Sequence, residues 1–323
     1  MTMLVLGEED VRATLDMAGC IEAMEAVLAA LARGDVTMPL RTIFRVPDES
    51  VLGLGLMPAH RGGAEPVIAL KEVVVAPGNS ARGLDPHQGA VLLHDGTTGQ
   101  LVAALNASPI TEIRTAAVSA VATKLLARLG ARHVAILGSG VQGRSHAVAM
   151  REVLPEAELR VWSRSPAHAE ALALEAHAVV CTTVAEAVAG ADVVCTCTAA
   201  AEPILSLADL APGAHVNAVG SSGPWARELD ADLVAAASLF VDRRESTVNE
   251  SGDYLGAVAE RGIGPEHILA ELGEILVGAH PGRRRDEELT VFKSLGLAAE
   301  DLAAAVLCVA RARERGVGVE VAF

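Results

Sequence analysis

Glycine spacing gives the first chemical signal. The run Ala135-Ile136-Leu137-Gly138-Ser139-Gly140-Val141-Gln142-Gly143 sets a G-x-G-x-x-G pattern behind an apolar stretch and ahead of a helical one. In that setting Gly138 permits a tight turn, Gly140 lets a pyrophosphate approach the backbone, and Gly143 lets helix and strand pack closely. The free N–H groups and positive dipole end of the helix then face phosphate. Ser139, Val141 and Gln142 share the loop, and all six residues are expected at a dinucleotide. The alternative is an ordinary glycine turn in an α/β protein.

The next strand candidate ends Val161-Trp162-Ser163-Arg164-Ser165, without an acid. An Asp or Glu there would accept hydrogen bonds from the ribose hydroxyls of NAD. Ser163, Arg164 and Ser165 suit a 2′-phosphate instead, through one charge and two hydroxyls. NADPH is therefore favoured over NADH, the alternative being that Arg164 is a solvated surface residue. Thr198 and Gly220, which end or follow later strand candidates, are also expected at the cofactor.

Three cations stand apart from this loop: Arg41 after Met38-Pro39-Leu40, Lys71 inside Ala69-Leu70-Lys71-Glu72-Val73, and Arg114 inside Thr111-Glu112-Ile113-Arg114-Thr115. Lys71 interrupts an apolar strand. Arg114 opens a predicted helix, where a cation opposes the dipole. Each needs a compensating charge. A bound carboxylate would serve, gripped by guanidinium in a two-point fork; the alternative is internal pairing with Glu72, Glu112 or Asp85.

Two kinds of element must position these residues. Ile21, Met24, Val27, Leu28 and Leu31 fall at helical spacing, and Gly34 stands where the helix should end. Arg41–Val46, Val51–Met57, Val67–Val75 and Gly89–His94 read as strands of a mostly antiparallel sheet. A long helix is predicted from about Thr111 to Leu129. Strict β-α alternation follows, with strands at His133–Leu137, Leu159–Trp162, Ala178–Cys181, Asp192–Thr198, Ala214–Val219 and Leu239–Asp242. Ser165-Pro166 and Thr183-x-x-Glu186 read as helix starts. The helix after Gly130 should bury Val141, Ala147, Val148, Met150 and Leu154. A last helix, about Leu297–Arg315, should return to the first domain.

Composition narrows the partners. At 323 residues, 51% of them apolar, the chain can build two cores. A net charge of −15 argues against nucleic acid, which needs a basic face. No apolar run is long enough to span a membrane, and the acidic start lacks the order of a signal peptide, so a cytoplasmic protein is expected. Cys20, Cys181, Cys195, Cys197 and Cys308 read as buried thiols, and no metal site is expected, because Cys195-x-Cys197 lacks a second ligand pair.

Further runs carry a resemblance. Leu56-Met57-Pro58-Ala59, Pro77-Gly78-Asn79, the Arg114 segment, the glycine loop, Val219-Gly220-Ser221-Ser222, Arg227-Glu228-Leu229-Asp230, Glu250-Ser251-Gly252-Asp253 and Val291-Phe292-Lys293-Ser294-Leu295-Gly296-Leu297 with Asp301 span nearly the whole chain. In these it resembles the ornithine cyclodeaminase/mu-crystallin family. The resemblance implies an α/β fold: a Rossmann doubly wound parallel sheet, residues 115–298, inserted in an α+β domain of residues 1–114 plus 299–323. That second domain would bind substrate and form a homodimer. A substrate carboxylate would meet Arg41, Lys71 and Arg114, and the nicotinamide would lie near Phe292-Lys293-Ser294, which makes Lys293 a cofactor residue.

Two departures bear on the reaction. Cyclodeaminases of this family carry an acid two residues before Met-Pro, where this chain has Gly55, and an Asp where it has Ser222. Without those carboxylates, the groups suited to a second substrate amine are missing. The ketimine-reducing branch is more similar. The expected reaction is NAD(P)H-dependent reduction of a ketimine acid, first 1-pyrroline-2-carboxylate to L-proline. Arg41 and Arg114 would hold the carboxylate, Lys71 would hydrogen-bond it or donate a proton, and Ser222 would assist. His87 is a candidate proton relay or a structural turn residue. A cyclodeaminase, an alanine dehydrogenase, or an NADPH-binding protein with little turnover are the alternatives.

Overall fold

Alternation of buried and outward side chains builds the first sheet, and near-continuous apolar strands build the second. The computed structural model describes residues 2–47, 51, 53–85 and 87–323. Leu52, inside the expected strand Val51–Met57, and Pro86, beside His87, lie outside the described residues. The chain divides into two units, Met1–Arg114 with Leu297–Phe323 and Thr115–Gly296, and the division falls inside the helix Ala107–Leu126. No helix among the described residues is long and apolar enough to cross a membrane.

The strands of the first unit are β1 (Thr2–Leu6), β2 (Val36–Thr37), β3 (Thr42–Phe44), β4 (Gly53–Arg61), β5 (Val67–Val75), β6 (His87–Asp95) and β7 (Leu101–Asn106). Those of the second are β8 (His133–Leu137), β9 (Glu158–Trp162), β10 (Val179–Val180), β11 (Val193–Thr196), β12 (His215–Ala218), β13 (Ser238–Val241), β14 (Ile268–Glu271) and β15 (Thr290–Lys293). β16 (Val319–Ala322) returns to the first sheet.

In the first unit the order is β16-β1-β7-β6-β5-β4-β2, with β3 also on β4, and β4 to β7 form an antiparallel meander. One cross-strand row joins Leu6, Leu105, Val91, Lys71 and Met57. All five are buried, so Lys71 is a charge set within an apolar row. The C-terminal helix Ala298–Arg315 packs on β4, β5, β6 and on the helix Met17–Arg33. The opposite face of the meander presents Pro58, Leu70, Leu92 and Ala104 in one half-buried row, with Ile68 exposed nearby.

The second unit is a parallel sheet in the order β10-β9-β8-β11-β12-β15-β13-β14, a doubly wound Rossmann arrangement with its switch point between β8 and β11. The chain order differs from the expectation of six strands. β15 inserts between β12 and β13, and β14 extends the edge. Three details also differ. Arg114 lies in the second turn of a helix that begins at Ala107, not at its opening. Val141 and Val148 face outward, because the buried stripe of their helix runs through Gly143, His146, Ala147 and Met150 at i, i+3, i+4 and i+7. Ser165 precedes the Pro166 helix without a side-chain cap bond, and Glu186 reaches Thr182 N, not Thr183 N, while Thr183 caps Glu186 N at 3.1 Å.

Candidate active site

The glycine loop closes the carboxyl end of β8. Gly138 has φ of +117°, a region an L side chain rarely enters, and its backbone passes against the carbonyl of Cys197. A Cβ at Gly143 would run into the Gly138 carbonyl, whereas the space around Gly140 is open. Gly140 stands at the N-cap of the helix Val141–Val153 and makes no side-chain cap bond. Gln142 Oε1 is buried and has no hydrogen-bond partner among the described residues. An open helix terminus and a close-packed glycine fit a bound pyrophosphate.

The neighbouring strand ends join this loop. Gly138 N donates to the Trp162 carbonyl at 2.8 Å, and Ser139 Oγ donates to Ser163 Oγ at 2.7 Å. Ser165 N donates to the same Ser163 oxygen at 3.4 Å, and Arg164 is exposed between the two serines. The structure thus brings Ser139, Ser163, Arg164 and Ser165 together at the ends of β8 and β9.

The ends of β11 and β12 are held by an acid the sequence reading gave no role. Glu228 is wholly buried. Its Oε1 accepts from Thr198 N and Thr198 Oγ1, both at 2.7 Å; its Oε2 accepts from Gly220 N at 2.7 Å and Thr196 Oγ1 at 2.6 Å. Burial raises this carboxyl above its ordinary range, against the hydrogen bond from Thr196 and the charge of Lys293. Asp253 Oδ1 then accepts from the N–H groups of Glu228 and Leu229 at 2.8 and 3.0 Å. Lys293 Nζ lies 2.8 Å from Asp253 Oδ2 and donates to the Ser221 carbonyl at 2.5 Å. Lys293, expected beside the nicotinamide, therefore has its ammonium on the protein's own loop, next to exposed Ser222.

In the first unit the cations find partners that differ from those expected. Lys71 Nζ lies 2.8 Å from Asp301 Oδ2 and 3.5 Å from Thr111 Oγ1. Arg114 donates to Asp301 Oδ1 at 3.0 Å through Nε and to Glu300 Oε2 at 2.7 Å through Nη1. Both acids open the C-terminal helix, and all four charged residues are buried. Glu112, an expected partner, pairs with Arg12 at 2.7 Å. Burial pushes the Lys71 ammonium down to about 8, Asp301 pulls it back up, and Arg114 adds to the push. The result is a lysine able to gain and lose a proton near neutrality.

Arg41 is half-buried just before Thr42, which pairs with Leu56; the next β4 position, Met57, pairs with Lys71. Gly55 falls on the same face as Met57 and brings no carboxylate to it. His87 is the exposed first residue of β6, its N–H donating to Asp85 Oδ1 at 2.8 Å. All five cysteines are free and buried. Burial pushes Cys195 up to about 12 and Cys308 up to about 11.

Residues 1–316 match the ornithine cyclodeaminase/mu-crystallin family. The chain belongs to that family. Ketimine reductase mu-crystallin of Mus musculus is 44% identical over 292 residues, covering 89% of this chain and 90% of that protein. A structure of Thermococcus litoralis Delta(1)-pyrroline-2-carboxylate reductase in complex with NADH and L-proline matches with a TM-score of 0.93 and 36% identity, over 99% of this chain and 100% of that one. An archaeal alanine dehydrogenase dimer with bound NAD matches at 0.94 and 30%, over 100% of both chains. Its family relatives thus include NAD(P)-dependent reductases of imines.

The glycine loop yields a direct test. Gly143→Ala should destabilise the chain by about 1–3 kcal/mol and weaken NADPH binding at least tenfold, read by urea unfolding and calorimetric titration. Wild-type values on both would mean that the contact with Gly138 is not limiting.

Proposed function

We propose that the protein is an NAD(P)H-dependent reductase of ketimine acids, with 1-pyrroline-2-carboxylate giving L-proline as the first substrate to try. The observation that carries this reading is the buried set of Lys71, Arg114, Glu300 and Asp301 in the first unit. A site for the nucleotide alone needs no such set. The identity to ketimine reductase mu-crystallin and the likeness to a reductase holding NADH and L-proline support the same reading.

The bound reduced nicotinamide would supply hydride to the imine carbon. The protein supplies orientation and a proton. Arg114, its guanidinium fixed by two acids, and Arg41 hold the substrate carboxylate, and a fixed substrate makes the attack effectively unimolecular. Lys71 gives its proton to the imine nitrogen and regains one from water. One hydride on carbon and one proton on nitrogen complete the amine. Ser222 assists from the loop that Lys293 and Glu228 hold. A cyclodeaminase reading lacks support at Gly55 and Ser222, where this chain offers no acid for a second amine.

The cofactor is NADPH in preference to NADH, in this reading, because Arg164 and the serine hydroxyls at the end of β9 suit a 2′-phosphate. The assembly is a homodimer formed through the apolar outer face of the meander, where Pro58, Leu70 and Leu92 stand half-buried. Five buried free thiols accord with a reducing cytoplasm.

Four measurements check these points. Wild-type protein should oxidise NADPH when given 1-pyrroline-2-carboxylate and release no ammonia from ornithine, and Lys71→Ala should lose at least a hundredfold in kcat with NADPH binding retained. Ammonia release without imine reduction would sink the assignment. Arg164→Ala should raise KM for NADPH about tenfold and leave NADH unchanged; equal effects on both cofactors would remove Arg164 from recognition. Light scattering should give twice the chain mass for wild type and the chain mass for Leu70→Arg, and a dimeric Leu70→Arg would place the interface elsewhere.

A further inference from the structure

The two acids that neutralise Lys71 and Arg114 are consecutive residues of one helix, yet their geometry differs. Glu300 Oε2 accepts from Arg114 Nη1 at 2.7 Å and from Leu297 N at 3.1 Å, so it ties the guanidinium to the start of its own helix. Asp301 spans both cations, with one oxygen 2.8 Å from Lys71 Nζ and the other 3.0 Å from Arg114 Nε. It is 1% exposed, and the lysine it meets is 4% exposed.

We infer that Asp301 is a positioning residue of the reaction proposed above: it bridges Lys71 and Arg114, orients both donors, and holds the lysine ammonium charged where water has been removed. The inference rests on that proposed reaction for its catalytic consequence, but its electrostatic content does not. The groups that act on Lys71 can be named element by element. The C-terminal helix brings Asp301 and Glu300, which favour the charged form. The helix Ala107–Leu126 brings Arg114, which opposes it, and the Thr111 hydroxyl. Across the sheet, Met57 in β4 and Val91 in β6 carry no charge. His87, at the start of β6, also lies within electrostatic reach of Lys71.

A carboxylate beside an ammonium favours the protonated form, and burial favours the neutral one. Removing the charge of Asp301 while keeping its shape leaves burial and Arg114 unopposed at that edge, so Lys71 loses its proton at lower pH. Activity that needs the ammonium then declines at lower pH as well.

The experiment uses the full-length protein, wild type and the Asp301→Asn and Asp301→Glu variants. The basic limb of kcat/KM is measured with NADPH and 1-pyrroline-2-carboxylate. The Lys71 Nζ midpoint is measured by 15N-lysine NMR, assigned by its loss in Lys71→Arg. In Asp301→Asn both should move down by about one pH unit, with NADPH affinity within about twofold of wild type, as expected for a charge about 3 Å from the ammonium. Asp301→Glu, which restores the charge, should return the midpoint most of the way. A folded Asp301→Asn protein with an unmoved midpoint overturns the inference. If that variant does not fold, the wild-type Asp301 13Cγ resonance decides: it should show an inflection at the Lys71 midpoint, and a flat trace there overturns the bridge. The expected NMR shift in a protein inert toward every imine would overturn the proposed reaction and leave the bridge standing.

Discussion

A lysine ammonium taken out of water loses several kcal/mol of solvation unless a counter-charge and hydrogen bonds replace it. The first unit is organised around that constraint. Lys71 sits in a cross-strand row whose other members are Leu6, Leu105, Val91 and Met57. The neutralising acids come from the start of the C-terminal helix, 187 residues from Arg114 in the case of Asp301. Docking that helix on the meander is therefore also what makes the buried cations tolerable. Losing either acid would leave an uncompensated buried charge, a change that costs about 3–5 kcal/mol. The three ion pairs fix the Arg114 guanidinium and the Lys71 ammonium against the two acids, so that neither cation is left to be solvated by water it cannot reach.

The second unit meets a different constraint, the close approach of backbones at the carboxyl ends of parallel strands. Gly138 and Gly143 let the turn and the helix pack together, and one carboxylate, Glu228, gathers the donors of Thr196, Thr198 and Gly220. Asp253 fixes the backbone of Glu228, and Lys293 ties Asp253 to the Ser221 carbonyl. Loops that must receive a ligand have few apolar contacts of their own. Here charge-assisted hydrogen bonds, shielded from water, do the holding.

The elements read best from sequence are those whose signal is local. Val67–Val75 and His133–Leu137 form strands with the bounds expected, and Gly34 ends its helix as its position suggested. β14 and β15 escaped because four residues carry little periodicity, and β15 ends in a lysine whose partners, Asp253 and the Ser221 carbonyl, lie far from it along the chain. β7 escaped because Leu101-Val102-Ala103-Ala104-Leu105 is as good a helix as a strand and runs directly into one. Val141 and Val148 turn outward for a related reason: the buried face is set by Gly143 and by His146, whose ring is satisfied by Gln142 and Ser119.

The candidate site divides along the same line. The glycine loop is a contiguous motif, so its turn, its open approach and its tight packing were all legible. The oddity of Lys71 and Arg114 was legible too, since a charge in an apolar pattern stands out. Their partners were not. Glu300 and Asp301 open a helix, where acids are ordinary complements of the dipole, so nothing local marks them as counter-ions. The same holds for Glu228, whose neighbours say nothing of the four donors it collects. A sequence shows which groups need compensation; only the fold shows which groups provide it. In a chain of net charge −15, any anionic ligand must be drawn in by local Arg or Lys, because the overall field offers it no help.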